Sequence, residues 1–165
     1  METQVDKKKL LEEIRNNGDI FDRFADSPAA LFDYRPALDD AWTIRENLAH
    51  LLDSEMSLFL RIRQAVAGPG SDAMQSFSLD DWKDRFNHTG QSMADTIDIY
   101  KKVHALAYKV LADLENADWS GFYVNHYARG KQTLEDIARI ISAHGNFHLE
   151  LLERNEAHWR DQKSG

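Results

Sequence analysis

Seven histidines carry most of the chemistry open to this sequence: His50, His88, His104, His126, His144, His148 and His158. His144 and His148 are four residues apart. On a helix that spacing sets them about 40° from one another, one turn apart on one face. Leu134, Ile137, Ile141 and Leu152 recur in register with them, so both imidazoles point inward with the apolar side chains. An unpartnered polar group there is costly. A divalent metal ion is one partner that serves both rings, and hydrogen bonds to neighbouring core side chains are the other. Spacing alone leaves both readings open. The chain has no cysteine, which excludes disulfides, thiolate zinc sites and cysteine nucleophiles. Any metal has only nitrogen and oxygen ligands to use.

Other patterns narrow the chemistry. A zincin helix needs Glu directly after the first histidine, and that position is Gly145. A ferritin-like di-metal site needs Glu-x-x-His, and no Glu here has His three positions on. Nucleophile elbow, phosphate-binding loop and dinucleotide fingerprint are absent. Tyr100 and His104 share a helix face without an evident third ligand, while His88 and His158 read as exposed. His50 lies beside Glu46, Asp53, Ser54 and Ser57, off the main apolar stripe of its segment. Taken alone it reads as a solvated or hydrogen-bonded side chain. Asp53, one turn on, is placed either to orient that imidazole or a water, or as a surface acid.

The elements that position these residues are helices. Helical periodicity appears over about residues 6–26, with Leu10, Ile14, Phe21 and Phe24 on one side and Gly18 weakening the middle. A second helix opens at Thr43, which with Glu46 forms a capping-box signature, and ends before Gly68-Pro69-Gly70. After a loop rich in Ser, Asp and Gly, a third spans about residues 84–115 on the stripe Thr96, Ile99, Val103, Leu106, Val110 and Leu114. The fourth begins at the N-cap Thr133. No strand pattern or internal repeat stands out. The expectation is one all-α domain over residues 1–165, an antiparallel four-helix bundle with long crossover loops and a disordered tail at residues 162–165. The connection carrying Trp119, Phe122, Tyr123 and Tyr127 is expected to wall a pocket or to cap the core.

Two segments now resemble a known family. Trp42-Thr43-Ile44-Arg45-Glu46-Asn47-Leu48-Ala49-His50-Leu51-Leu52-Asp53 resembles the Trp-Ser/Thr-x-x-Glu-x-x-x-His-x-x-Asp motif of the DinB-like superfamily. Gly130-Lys131-Gln132-Thr133-Leu134-Glu135-Asp136, followed by His144-Gly145-Asn146-Phe147-His148, resembles its closing segment, and Gly after the first histidine is similar to the YfiT-like branch. The likeness spans about residues 6–155. It implies a bundle in which His50, His144 and His148 bind one zinc, nickel or similar ion, and it is the resemblance that raises His50 to a ligand. The sequence departs from the family at Phe147, where many relatives carry another histidine. His126 falls near a position where YfiT-like relatives carry histidine; it reads as a pocket residue or as a loop histidine in water.

Three neutral nitrogen ligands leave a coordination position open, the pattern of catalytic zinc sites. The resemblance then implies a metal-dependent enzyme, either a transferase using a low-molecular-weight thiol or a hydrolase, with Asp53 the better-placed catalytic acid or base. A non-catalytic metal- or ligand-binding stress protein is the alternative of another class. Arg45, Arg61, Arg129 and Lys131 stand near the motifs as partners for the carboxylates of a thiol cofactor. A net charge of −8 opposes a grip on nucleic acid. With no apolar run near the roughly 20 residues that span a bilayer, the expectation is a cytoplasmic protein acting on a small molecule, with a homodimer as its candidate assembly.

Overall fold

The computed structural model describes residues 6–74, 79–86, 88 and 90–165. Residues 1–5, 75–78, 87 and 89, which include part of the expected Ser/Asp/Gly loop and two positions of the expected third helix, lie outside the described residues. The elements in chain order are α1 (Lys7–Asn16), α2 (Ala29–Phe32), α3 (Ile44–Ala67), β1 (Ser71–Asp72), α4 (Leu79–Arg85), α5 (Met93–Asp113), β2 (Tyr123–His126), β3 (Gly130–Thr133) and α6 (Leu134–Ser164).

The helix starts are where the capping chemistry puts them. The Glu46 amide donates to Thr43 Oγ1 at 3.1 Å and the Thr43 amide to Glu46 Oε2 at 2.8 Å, a reciprocal box that opens α3. Thr133 and Asp136 make the same arrangement for α6. Gly68 follows the last residue of α3, as the Gly-Pro-Gly break implies.

Four departures from the sequence reading have physical causes. The first helix stops at Asn16 and continues through single turns at Asn17–Asp19 and Asp22–Phe24, because Gly18 interrupts propagation while Phe21 and Phe24 still bury. The third helix is two: α4, then α5 after a positive-φ Gly90 and the N-cap Ser92. The long aromatic connection contains strands. β2 pairs with β3 antiparallel, and β1 adds to β2 in parallel; each is too short for its alternation to stand out. Finally α6 stays helical to Ser164, with Lys163 Nζ 3.9 Å from the Trp159 ring centroid, so the tail expected to be disordered ends in a helical turn.

α1 and α3 each pack against both α5 and α6. Inside lie two apolar clusters. One gathers Ile14, Ile62, Leu111, Trp119, Leu134 and Ile137; the other gathers Phe21, Phe24, Ile44, Leu51, Ile97 and Leu152. Along α3 the second cluster ends at Leu52 and the first begins at Leu58, with Glu55 between. Along α5 the division falls between Tyr100 and Ala107, at His104. Glu55 and His104 meet there: His104 Nδ1 lies 2.8 Å from Glu55 Oε1, and His104 Nε2 lies 2.6 Å from the Ile14 carbonyl. With Glu55 ionised, both ring nitrogens donate, which makes the ring an imidazolium. Tyr100 stacks on it.

This layer corrects part of the expected stripe of the third helix: Thr96 is buried and Val110 and Leu114 pack on the core as expected. Ile99 and Leu106 are exposed, whereas Met93, Ile97, Tyr100, His104, Ala107 and Leu111 are buried. The helix has two apolar ridges, and the charge on Glu55 selects the one that carries His104.

Burial alone lowers the His104 pKa, but the Glu55 hydrogen bond and charge and the Ile14 carbonyl outweigh it, and the net shift is upward. A folded pKa above the unfolded value of about 6.5 means that the stabilisation is complete below pH 6.5 and is lost as pH rises through the folded pKa. His104→Ala is therefore expected to cost about 3–5 kcal/mol by leaving Glu55 buried alone, and to flatten the alkaline loss of stability. Urea unfolding of both proteins across a pH series measures it.

Candidate metal centre

α3 and α6 supply the site. The ligand atoms of His50, His144 and His148 all lie within 4.8 Å of one another, so the fold brings together the three histidines singled out from the sequence. His144 Nε2 and His148 Nε2 are 3.0 Å apart. Two nitrogens each about 2.0–2.1 Å from one zinc ion stand close to that far apart.

The tautomers decide whether an ion fits. His148 Nδ1 lies 2.9 Å from Asn47 Oδ1. Asn47 is fully buried, and its Nδ2 donates to the Thr43 carbonyl at 2.8 Å, which turns its oxygen toward His148. The His148 proton therefore sits on Nδ1, and Nε2 presents a lone pair. His144 can carry its proton on Nε2, bridging the two rings, or on Nδ1, which is buried without a hydrogen-bond partner among the described residues. In the second tautomer two lone pairs converge, and a cation satisfies both. Burial first, and then the neighbouring histidines, lower the His144 pKa to about 4 and the His148 pKa to about 3. Both rings are neutral at pH 7, as metal ligation requires. The donor set thus fits a zinc or nickel ion.

The surroundings come from the loop before α3 and from the outer turns of α6. Trp42 packs edge-on against His50, with ring centroids 5.1 Å apart. Its carbonyl accepts from Asn155 Nδ2 at 2.6 Å, and Asn155 Oδ1 accepts from the Arg154 guanidinium. One residue of α6 so holds both the tryptophan and an arginine. Ser54 Oγ lies 3.4 Å from His50 Nε2. The three histidines line a cleft of about 310 Å³ together with Trp42, Phe147, Leu151, Asp40 and Arg154. Asp40 sits in the left-handed backbone region, with φ 54°.

Several expected contributors lie elsewhere. Asp53 lines a second cleft, beside Ser57 and Arg61; burial raises its carboxyl pKa, opposed by His88. Arg45 is committed to Asp33 and the Gln91 carbonyl, and neither Arg61, Arg129 nor Lys131 lines the histidine cleft; Arg154 does, and the sequence did not single it out. His88 is half-buried rather than exposed and bonds Gln91. His126 is buried on β2, where its Nδ1 accepts from the amides of Ala128 and Arg129, and it does not line the histidine cleft. Trp119 is fully buried in the core, donating to the Leu114 carbonyl, and Phe122 packs on the same cluster. These rings cap the core, and none lines the histidine cleft. Asn47 and Asn155 carried one readable signal, a polar side chain on an apolar helical stripe.

Comparison with known proteins agrees with this architecture. Residues 14–152 match the family model of the DinB superfamily, and the chain belongs to that superfamily. Among solved structures it is similar to YfiT from Bacillus subtilis, described as "a probable metal-dependent hydrolase with an unusual four-helix bundle topology", at a TM-score of 0.79 and 16% identity, covering 96% of this chain and 91% of that one. The fold is therefore a four-helix bundle of the YfiT type. No curated protein matches the sequence.

Asn47→Ala frees the His148 tautomer and is expected to weaken zinc binding about 10- to 100-fold, measured by competition with a chromogenic chelator. His148→Ala is expected to abolish tight binding while leaving the circular dichroism helical, since the apolar clusters and not the ion carry the fold.

Proposed function

We propose that this protein is a metal-dependent enzyme acting on a small molecule, in which His50, His144 and His148 hold one zinc or nickel ion and the reaction is transfer to a low-molecular-weight thiol. The observation that carries the reading is the convergence of three buried or half-buried imidazoles, one with its tautomer locked by Asn47, on the wall of an open cleft. Once bound, a divalent ion supplies Lewis acidity and acidifies a water or thiol that joins it.

The chain's own residues do the rest. Trp42, Phe147 and Leu151 give the cleft apolar walls that fit the hydrocarbon part of a substrate. Arg154, steadied by Asn155, places a cation where the carboxylate of a thiol cofactor needs one. No cysteine of the chain competes for the ion.

A second reading, hydrolysis, is favoured by Asp40, whose carboxylate lines the same cleft and can hold a proton taken from water. The description of YfiT points the same way. In this reading Asp53, one turn beyond His50 on α3 and lining the neighbouring cleft, is a further candidate base.

Calorimetric titration of the zinc-loaded protein with bacillithiol, mycothiol and glutathione separates the readings. At least one thiol is expected to bind the wild type more tightly than His148→Ala. If none does, the thiol reading is wrong and hydrolysis remains, to be tested by the loss of ester cleavage in Asp40→Asn.

A further inference from the structure

The second cleft lies on the same stripe of α3 as the first. His50, Asp53, Ser57, Arg61 and Gln64 follow one another at intervals of three, four, four and three residues, which confines them to an arc of about 80°. His50 faces the histidine cleft. The other four line a cleft of about 390 Å³ with Met56, Leu60, Met74 and Trp82. Met56, Leu60 and Met74 are 37%, 47% and 61% exposed. Apolar side chains gathered at an open surface in this way mark a binding site more often than chance.

Arg61 gives this apolar surface its chemistry. It is half-buried, and its guanidinium donates to the amide oxygen of Gln132 at 3.1 Å. Among the described residues no carboxylate stands within ion-pair distance of it. The contrast with Arg45 is direct: that guanidinium, also largely buried, is matched by both oxygens of Asp33 at 2.6 and 3.1 Å. Arg129 adds a second positive charge near Arg61, and burial and Arg129 together push the Arg61 pKa down. A partly desolvated cation whose partner among the described residues is a neutral amide, at the end of an apolar trough, is arranged to receive an anion.

We propose that this cleft is the substrate-binding arm of the protein: it takes a molecule with an apolar chain ending in a carboxylate or phosphate, the anion on Arg61 and the chain lying over Leu60, Met56 and Trp82 toward the histidines. Its identification as substrate rests on the metal-dependent function proposed above; the binding itself does not. The rise of α3 puts Arg61 about 12 Å along the axis from Asp53 and about 16 Å from His50, so the anion and the reacting bond are far apart in the substrate. The acid Asp53 stands at the end nearer the histidines and the cation at the far end, which fixes one direction of binding for a molecule with a single negative terminus.

Decanoate, decyl phosphate and decanol serve as probes, titrated into the zinc-loaded protein while following Trp82 fluorescence, with Trp82→Phe as the blank. Decanoate or decyl phosphate is expected to bind, and the tighter of the two identifies the head group. Arg61→Ala should weaken that binding about 10- to 100-fold, the loss of a charge-assisted hydrogen bond, and Arg61→Lys should restore part of it. Decanol should be indifferent to both substitutions. His148→Ala should lose zinc yet keep the anion, which separates the cleft from the metal: failure of zinc to bind the wild type overturns the metal reading alone, and an unchanged affinity in Arg61→Ala overturns the cleft assignment alone. A dimer in sedimentation that Leu60→Asp dissociates would place a second copy on this surface and also overturn the assignment.

Discussion

A charged pair buried in the middle of a bundle orients everything packed around it, and Glu55 with His104 is that pair here. Neither can face solvent or the apolar clusters without losing a partner that is expensive to lose. The face of α3 that bears Glu55 must therefore meet α5. His50, five residues earlier, lies about 140° round the same helix, and with Glu55 committed to α5 it is turned to the side that α6 occupies. α3 packs on both helices. The position of the first histidine of the triad thus follows from an ion pair that lies outside the histidine cleft.

The triad then depends on a second level of restraint. An imidazole offers a lone pair at one nitrogen only if the proton is held at the other. Asn47 does this for His148, and its own orientation is fixed by the Thr43 carbonyl, in the turn where the capping box begins α3. Helix initiation and ligand tautomer share one residue, Thr43: its hydroxyl and amide close the box and its carbonyl sets Asn47. Asn155 plays a comparable part on α6, tying the loop that carries Trp42 to the helix that carries His144 and His148. The two ends of the site are held by amides, which keep their hydrogen bonding unchanged across the pH range in which histidines titrate.

Much of this was legible in the sequence, and the illegible parts have identifiable causes. The capped starts at Thr43 and Thr133 and the inward His144/His148 pair follow from local rules, and they are where expected. His50 was not readable from periodicity, because its partners stand about a hundred residues away; only its motif suggested a role. The inner face of α5 was misread because Ile99 and Leu106 make a more apolar ridge than Tyr100 and His104, and composition cannot show that a carboxylate on another helix reverses the choice. The short strands escaped because four residues give too little alternation, although Val124 and His126 do point inward on either side of Asn125. The clefts are tertiary objects: Arg154, which belongs to the histidine cleft, looks in sequence like one more surface charge.

The long sequence separation of the contacts at the site shapes how it comes into being. His148 reaches Asn47 across 101 residues, Asn155 reaches Trp42 across 113, and His104 reaches the Ile14 carbonyl across 90. Such closures are slow and come late, since chain entropy is lost before they repay it. During synthesis α3 emerges with His50 and Asn47 in place but with no second imidazole to complete a site, and it stays so until α6 has left the ribosome and docked. A nascent or truncated chain therefore offers a metal no three-point grip. Under the proposed metal reading, loading would be reserved for the finished fold, where an ion would bind the native state alone and shift the folding equilibrium toward it.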